Sequence, residues 1–125
     1  MKNNNRPVYL NLFKISLPIG GIVSILHRVT GVLLVLALPW TIYLLQLSLA
    51  GEEQFLQVSQ HFSGSWIKIG LLLVLAIYAQ HLVSGIRHLL LDLDIGVSRI
   101  NARRSAWLSF VVTLAILILA GVNWW

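Results

Sequence analysis

The sequence predicts an all-α membrane protein whose chain crosses the bilayer three times. Three observations carry this. The apolar residues gather into three long uncharged runs. Charged residues make up only 10 % of the chain, against about a quarter in an ordinary globular chain. Lys and Arg sit in the segments flanking the runs rather than over a whole surface.

A bilayer core is about 30 Å thick and takes roughly 20 apolar residues as helix. Val29–Ala50, Ile69–Ile86 and Ser105–Trp125 meet this without one Asp, Glu, Lys or Arg. With their flanking residues the predicted spans are 22–50, 65–91 and 104–125. The runs are continuous and lack the alternation of barrel strands. A chain of 125 residues is one domain, 1–125. Gly51-Glu52-Glu53 is read as the end of the first helix, and Ser63-Gly64-Ser65 offers an N-cap to the second. Between them, 53–62 carries Phe55, Val58 and Phe62 on one helical face and reads as a short interfacial helix. Ser98 or Asn101 offers a cap for the third span. Pro39 lies inside the first, where a membrane helix tolerates a modest kink. Trp66 and Trp124-Trp125 suit the interfacial aromatic belt. No internal repeat and no low-complexity tract is apparent.

The basic residues give the orientation. Lys2, Arg6, Lys14 and Arg28 precede the first span, Arg87, Arg99, Arg103 and Arg104 surround the second loop, and the first loop has only Lys68. The positive-inside rule therefore puts the N-terminus and second loop in the cytoplasm and the C-terminus in the periplasm. The same placement explains the net charge of +5 without a nucleic-acid partner. With no cysteine, the chain has no disulfide, iron–sulfur ligand or thiolate zinc site. Arg6 to Lys14 is too broken by charge to form a signal-peptide core.

Polar side chains concentrate at one membrane surface. Ser24, His27 and Arg28 begin the first helix, and His81, Arg87, His88 and Asp92 lie toward the end of the second. Because chain direction reverses, both groups meet at the cytoplasmic leaflet, a pattern that suits a site and a docking face for a soluble partner. His81 lies about 9 Å deeper than Arg87. An ionisable group inside a span is costly and usually functional. Neutral imidazole is a good axial haem ligand, and the other reading of His81 is an interhelical hydrogen bond worth about 1 kcal/mol. Gly85, one turn on, either admits a flat macrocycle or packs closely against another helix. His88 is either a haem-propionate donor or a plain interfacial histidine. Both His27 and His88 are expected nearer the interface than His81. Ser24 and Arg28 share a helical face, where a hydroxyl and a guanidinium suit a quinone carbonyl or a carboxylate. Arg28 is otherwise a snorkelling topology signal. A structural role is the simpler reading of Arg87 and Asp92, and Gln80 is read as a hydrogen-bonding residue toward a neighbouring helix.

These residues match two motifs. Ser24-Ile25-Leu26-His27-Arg28-Val29-Thr30-Gly31 resembles the S-I-x-H-R-x-[ST]-G motif of the cytochrome b subunits of succinate dehydrogenase (complex II). His81 to Asp92 resembles that family's H-x-x-x-G-[aliphatic]-R-H-x-x-x-D, and Arg6-Pro7 its N-terminal R-P. The resemblance covers nearly the whole chain. It implies that His81 is an axial ligand of one haem b, whose second axial histidine comes from the other hydrophobic anchor subunit. It also implies that His27, Arg28 and His88 lie near the haem propionates, and that Ser24 and Arg28 contribute to ubiquinone binding. The implied partners are that second anchor subunit, an iron–sulfur subunit and a flavoprotein, in a bacterial inner membrane. The chain departs from the family in having Val8-Tyr9-Leu10-Asn11 after R-P, where many members have S-P-H, and Gln80 where some have an aromatic residue.

The expected activity is the passage of electrons from the iron–sulfur subunit to ubiquinone in aerobic respiration and the tricarboxylic acid cycle. The chain itself is a non-catalytic subunit. Two other readings compete: the anchor of a quinol:fumarate reductase, and a structural or transport helical subunit without haem.

Overall fold

The computed structural model describes residues 16–124. Lys2, the Arg6-Pro7 pair, Lys14 and Trp125 lie outside the described residues. Four α-helices follow in order: α1, Ile19–Ser48; α2, Glu52–His61; α3, Ser65–Asp92; and α4, Arg99–Trp124. Helices α1, α3 and α4 are each long and apolar enough to cross a membrane, as the three uncharged runs predict.

The helix ends follow from local chemistry, and several differ from expectation. Helix α1 starts three residues before the predicted 22 because Pro18 sets its start, in extended conformation and accepting hydrogen bonds from the N–H groups of Gly21 and Ile22. Proline has no N–H to donate and is well tolerated only where a helix begins. That start brings Ser24, His27 and Arg28 inside regular helix. The helix continues unbroken through Pro39 to Ser48. Glu52 and Glu53 do not close it; they form the first turn of α2, where carboxylates face the positive end of the helix dipole. On α2, Val58 and Phe62 turn toward Trp40, Leu44 and Leu47 of α1, while Phe55 is 56 % exposed.

The cap of α3 falls within the predicted Ser63-Gly64-Ser65 turn, on Gly64 and without a side-chain bond, while Ser63 Oγ donates back to the Gln60 carbonyl at 2.7 Å, toward α2. At α4, Ser98 rather than Asn101 is the cap: its Oγ accepts from the Asn101 N–H at 3.4 Å. The turn between α3 and α4 places Asp94 (φ 59°) and Gly96 (φ 78°) in the left-handed region, which Asp and Gly tolerate better than other residues.

The bundle is packed through small and hydroxyl residues. Val23, Thr30, Ala79, Ser84, Ala106, Ser109 and Thr113 are buried, whereas many Leu, Ile and Val side chains point outward. This is the packing expected in lipid, where apolar side chains gain little by turning inward and small residues let backbones approach. Polar bonds join the helices at intervals. Thr113 Oγ1 of α4 donates to Gln80 Oε1 of α3 at 3.1 Å, the neighbouring-helix contact expected of that amide. At the far end Lys68 Nζ donates to the Trp124 carbonyl at 3.0 Å, tying the start of α3 to the end of α4. All three spans run antiparallel to their chain neighbours, so the start of α1, the end of α3 and the start of α4 share one surface.

Replacing Thr113 by Val leaves the Gln80 amide oxygen without its partner. We expect this to cost about 1 kcal/mol, read as a lower thermal unfolding midpoint of the detergent-solubilised protein, with Thr113→Ser close to wild type.

Candidate functional site

At this shared surface, α1 and α3 meet through two histidines. The rings of His27 and His81 lie face to face, with centroids 4.1 Å apart and planes 13° from parallel. Each ring uses its Nδ1–H on the opposite helix. His27 Nδ1 donates to the His81 carbonyl and to Ser84 Oγ, both at 3.1 Å. His81 Nδ1 donates to the His27 carbonyl at 3.0 Å and approaches Thr30 Oγ1 at 3.4 Å. The hydroxyls are held to receive these donors. Thr30 Oγ1 donates to the carbonyls of Leu26 at 2.7 Å and His27 at 3.0 Å, and Ser84 Oγ donates to the Gln80 carbonyl.

Glycine makes the close approach possible. A Cβ on Gly31 would stand 3.0 Å from His81 Cε1, and a Cβ on Gly85 would stand 3.1 Å from His27 Cε1. Each ring therefore seats on the glycine of the opposite helix. The arrangement is a local two-fold built from one short pattern used twice, H-x-V-[ST]-G: His27-Arg28-Val29-Thr30-Gly31 on α1 and His81-Leu82-Val83-Ser84-Gly85 on α3. Read along the chain, no repeat is apparent, because five residues are too few to stand out. The partnership of Thr30 and Ser84 with the rings was missed for the same reason, and the matching H-x-V-[ST]-G was the signal that carried it.

Gly85 is covered by the His27 ring, which is the close helix packing expected as one of its roles. One expectation changes. His27 does not sit nearer the interface than His81; the antiparallel register puts the two rings at one depth. The two rings stack face to face rather than converging on one point between them.

What the geometry offers is one prepared ligand. With Nδ1 carrying the proton and bound to a backbone carbonyl, His81 keeps its lone pair on Nε2, the tautomer that metal-ligating histidines take when their other nitrogen is so held. His81 Nε2 has no hydrogen-bond partner among the described residues. His88 extends the cluster: its ring centroid is 5.3 Å from that of His27, and its Nε2 is buried with no partner among the described residues. Gln80 Nε2 is likewise buried with no partner among the described residues, and a buried unpaired nitrogen is costly.

The remaining polar residues separate into two sets. Ser24 and Arg28 lie one turn apart on α1, Ser24 half-buried and Arg28 exposed, on the face expected from their spacing. Arg87 lies against α4 and beside Gly20 at the start of α1. It is 8 % exposed, and it donates through Nε to Ser105 Oγ and through Nη2 to the Ala102 carbonyl, both at 3.1 Å. It fastens α3 to α4, the structural role expected of it. Asp92 is the exposed last residue of α3 and makes no ion pair with Arg87. Helix α4 brings no side chain to the histidine cluster.

Comparison with known proteins places nearly the whole chain in one family. The family model of the succinate dehydrogenase/fumarate reductase transmembrane subunit matches residues 2–120. The succinate dehydrogenase cytochrome b556 subunit of Coxiella burnetii is 40 % identical over 124 residues, 98 % of this chain and 99 % of that protein. Those of Rickettsia felis and Rickettsia prowazekii are 34 % and 32 % identical over 119 residues, in each case 95 % of this chain and 93 % of the relative. With its three membrane-crossing helices, the chain is a multi-pass bacterial membrane protein, and it belongs to the succinate dehydrogenase/fumarate reductase transmembrane subunit family.

Proposed function

We propose that this chain is the haem b-binding anchor of a succinate:ubiquinone oxidoreductase, supplying one axial ligand and part of the quinone site at the cytoplasmic leaflet. The observation that carries the reading is the tautomer lock on His81, Nδ1 to the His27 carbonyl at 3.0 Å, which leaves Nε2 ready to bind iron. The name cytochrome b556 carried by the relatives accords with it. By the family resemblance, a histidine of the other anchor subunit would complete the binding of the haem iron.

When bound, haem b supplies one-electron storage beside the quinone. The chain's own residues do the rest. His27 holds the His81 ring in plane and in tautomer. His88, with its buried unpaired Nε2, would donate to a propionate, with Arg28 and His27 assigned nearby by the same resemblance. Ser24 donates its hydroxyl proton to a ubiquinone carbonyl oxygen. Arg28, one turn on, stabilises the negative charge that grows on that oxygen as electrons arrive from the iron–sulfur subunit, as a preorganised cation does at any developing oxyanion. Succinate oxidation belongs to the flavoprotein subunit, and this chain is its membrane end.

The family model also spans fumarate reductases, so the anchor of a quinol:fumarate reductase is the second reading. Steady-state rates with ubiquinone and with menaquinol separate the two; faster menaquinol-driven fumarate reduction favours the second.

Replacing His81 by Ala in the assembled complex is expected to remove the b-type band from the reduced-minus-oxidised spectrum; an unchanged band refutes the ligand assignment. Gly31→Ala pushes a methyl group against the His81 ring, so haem content should fall, while Gly121→Ala, where the added methyl meets open space, leaves it unchanged. Arg28→Ala is expected to slow quinone reduction by about a hundredfold, and Ser24→Ala by less. Dye reduction by the soluble subunits should stay intact in both. Parallel loss of the two activities would mean that assembly had failed instead.

A further inference from the structure

A second polar feature lies at the cytoplasmic end, on the flank where α1 and α4 begin. It is a cavity of about 470 Å³ whose walls include Pro18 and Gly20 of α1, Arg87 of α3, and Arg99, Arg103 and Trp107 of α4. None of the histidines of the cluster lines it, nor do Ser24 and Arg28. Three guanidinium groups meet there, and no carboxylate is among the lining residues. Two helix N-termini open on the same space, and neither α1 nor α4 has an acidic residue in its first turn. Each adds about half a positive charge.

Arg87 is the residue that asks for a ligand. It is more than nine-tenths buried, and both of its hydrogen bonds go to neutral oxygens, Ser105 Oγ and the Ala102 carbonyl. Among the described residues its charge is balanced by no carboxylate. A buried cation without a counter-ion is expensive, and Arg87 pays that cost at the wall of an open cavity. Gly20 keeps the space clear: a Cβ there would stand 3.4 Å from Arg87 Nη2.

The cavity is also graded along the membrane normal. Arg103 lies about 6 Å and Arg99 about 12 Å from Trp107 along α4, on one face. Charge thus stands at the aqueous end, and an indole of the kind found at membrane interfaces stands at the inner end. Basic pockets between transmembrane helices on the cytoplasmic side suit phosphate headgroups whose acyl chains continue into the bilayer. A free phosphate would use only the outer half, and the ammonium of a zwitterionic lipid would meet three like charges. We propose that this cavity binds the headgroup of an acidic phospholipid of the cytoplasmic leaflet, with Arg87, Arg99 and Arg103 around the phosphate and Trp107 along the first segment of the acyl chain. None of the residues assigned to haem or quinone lines the cavity.

The test uses the intact membrane complex. After detergent purification, native mass spectrometry counts the phospholipids retained. The delipidated complex is then titrated with phosphatidylglycerol, with phosphatidylcholine and with inorganic phosphate. Wild type should retain phosphatidylglycerol selectively, and R99Q/R103Q should weaken its binding about thirtyfold, the equivalent of about 1 kcal/mol for each arginine. R99K/R103K keeps the charges that set topology and should bind more tightly than the glutamine pair, which separates lipid binding from misinsertion. Equal binding of phosphatidylcholine by wild type overturns the proposal. So does unchanged phosphatidylglycerol binding in R99Q/R103Q, or displacement of the lipid by inorganic phosphate at equal phosphate concentration. Should both double variants fail to assemble, the selectivity of the wild-type complex decides alone.

Discussion

The contact between α1 and α3 through His27 and His81 governs the arrangement of the polar end of this protein. Within a bilayer a ring N–H has no water to bond, so it must find an acceptor in the protein. Here each ring uses a carbonyl of the facing helix, whose oxygen has a second lone pair beyond the one used in its own helical ladder. The exchange works only when the backbones are close, and Gly31 and Gly85 allow that approach. One interaction therefore sets the register of the two helices, the depth of both rings and the tautomer of His81.

The rest of the bundle can be built from ordinary membrane packing because this contact carries the polarity. Ala79, Ala106, Ser109 and Thr113 bring α3 and α4 together through small surfaces, and the Gln80–Thr113 bond adds a single polar link deeper in the bundle. Large apolar side chains are left on the outside, where lipid or neighbouring subunits cover them equally well. The polar chemistry stays at one membrane surface, in two places with different characters. The histidine cluster presents ring nitrogens and hydroxyls, whereas the arginine cavity presents positive charge alone.

Arg87 shows how one residue of a recognisable motif can serve the second place rather than the first. It stands one residue before His88, yet it points to α4 while His88 points to His27. On a helix, successive residues are rotated by about 100°, so neighbours in a motif need not share a function. The motif that resembles the cytochrome b family thus holds residues of the histidine cluster and a residue that builds the wall of a separate cavity. The expectation that Arg87 is structural stands, and its burial without an acidic partner adds a further role.

The number of spans is legible in the sequence, because an apolar slab about 30 Å thick acts on composition alone. The basic residues beside the spans give an expected orientation in the same way. His27, Arg28, His81 and His88 stand out there because an ionisable group in or beside a span is conspicuous, and Ser24 because it shares a face with Arg28. The cap of α3 falls on Gly64, within the Ser63-Gly64-Ser65 turn that the sequence marks, while Ser63 turns back to α2. Which histidine faces which glycine, that His27 shares the depth of His81, and that Arg87 leaves Asp92 for Ser105 are set only in the tertiary structure. Those outcomes depend on the register between helices distant in sequence, and register is decided by the summed fit of rings, glycines and hydroxyls across the interface, which no single segment contains.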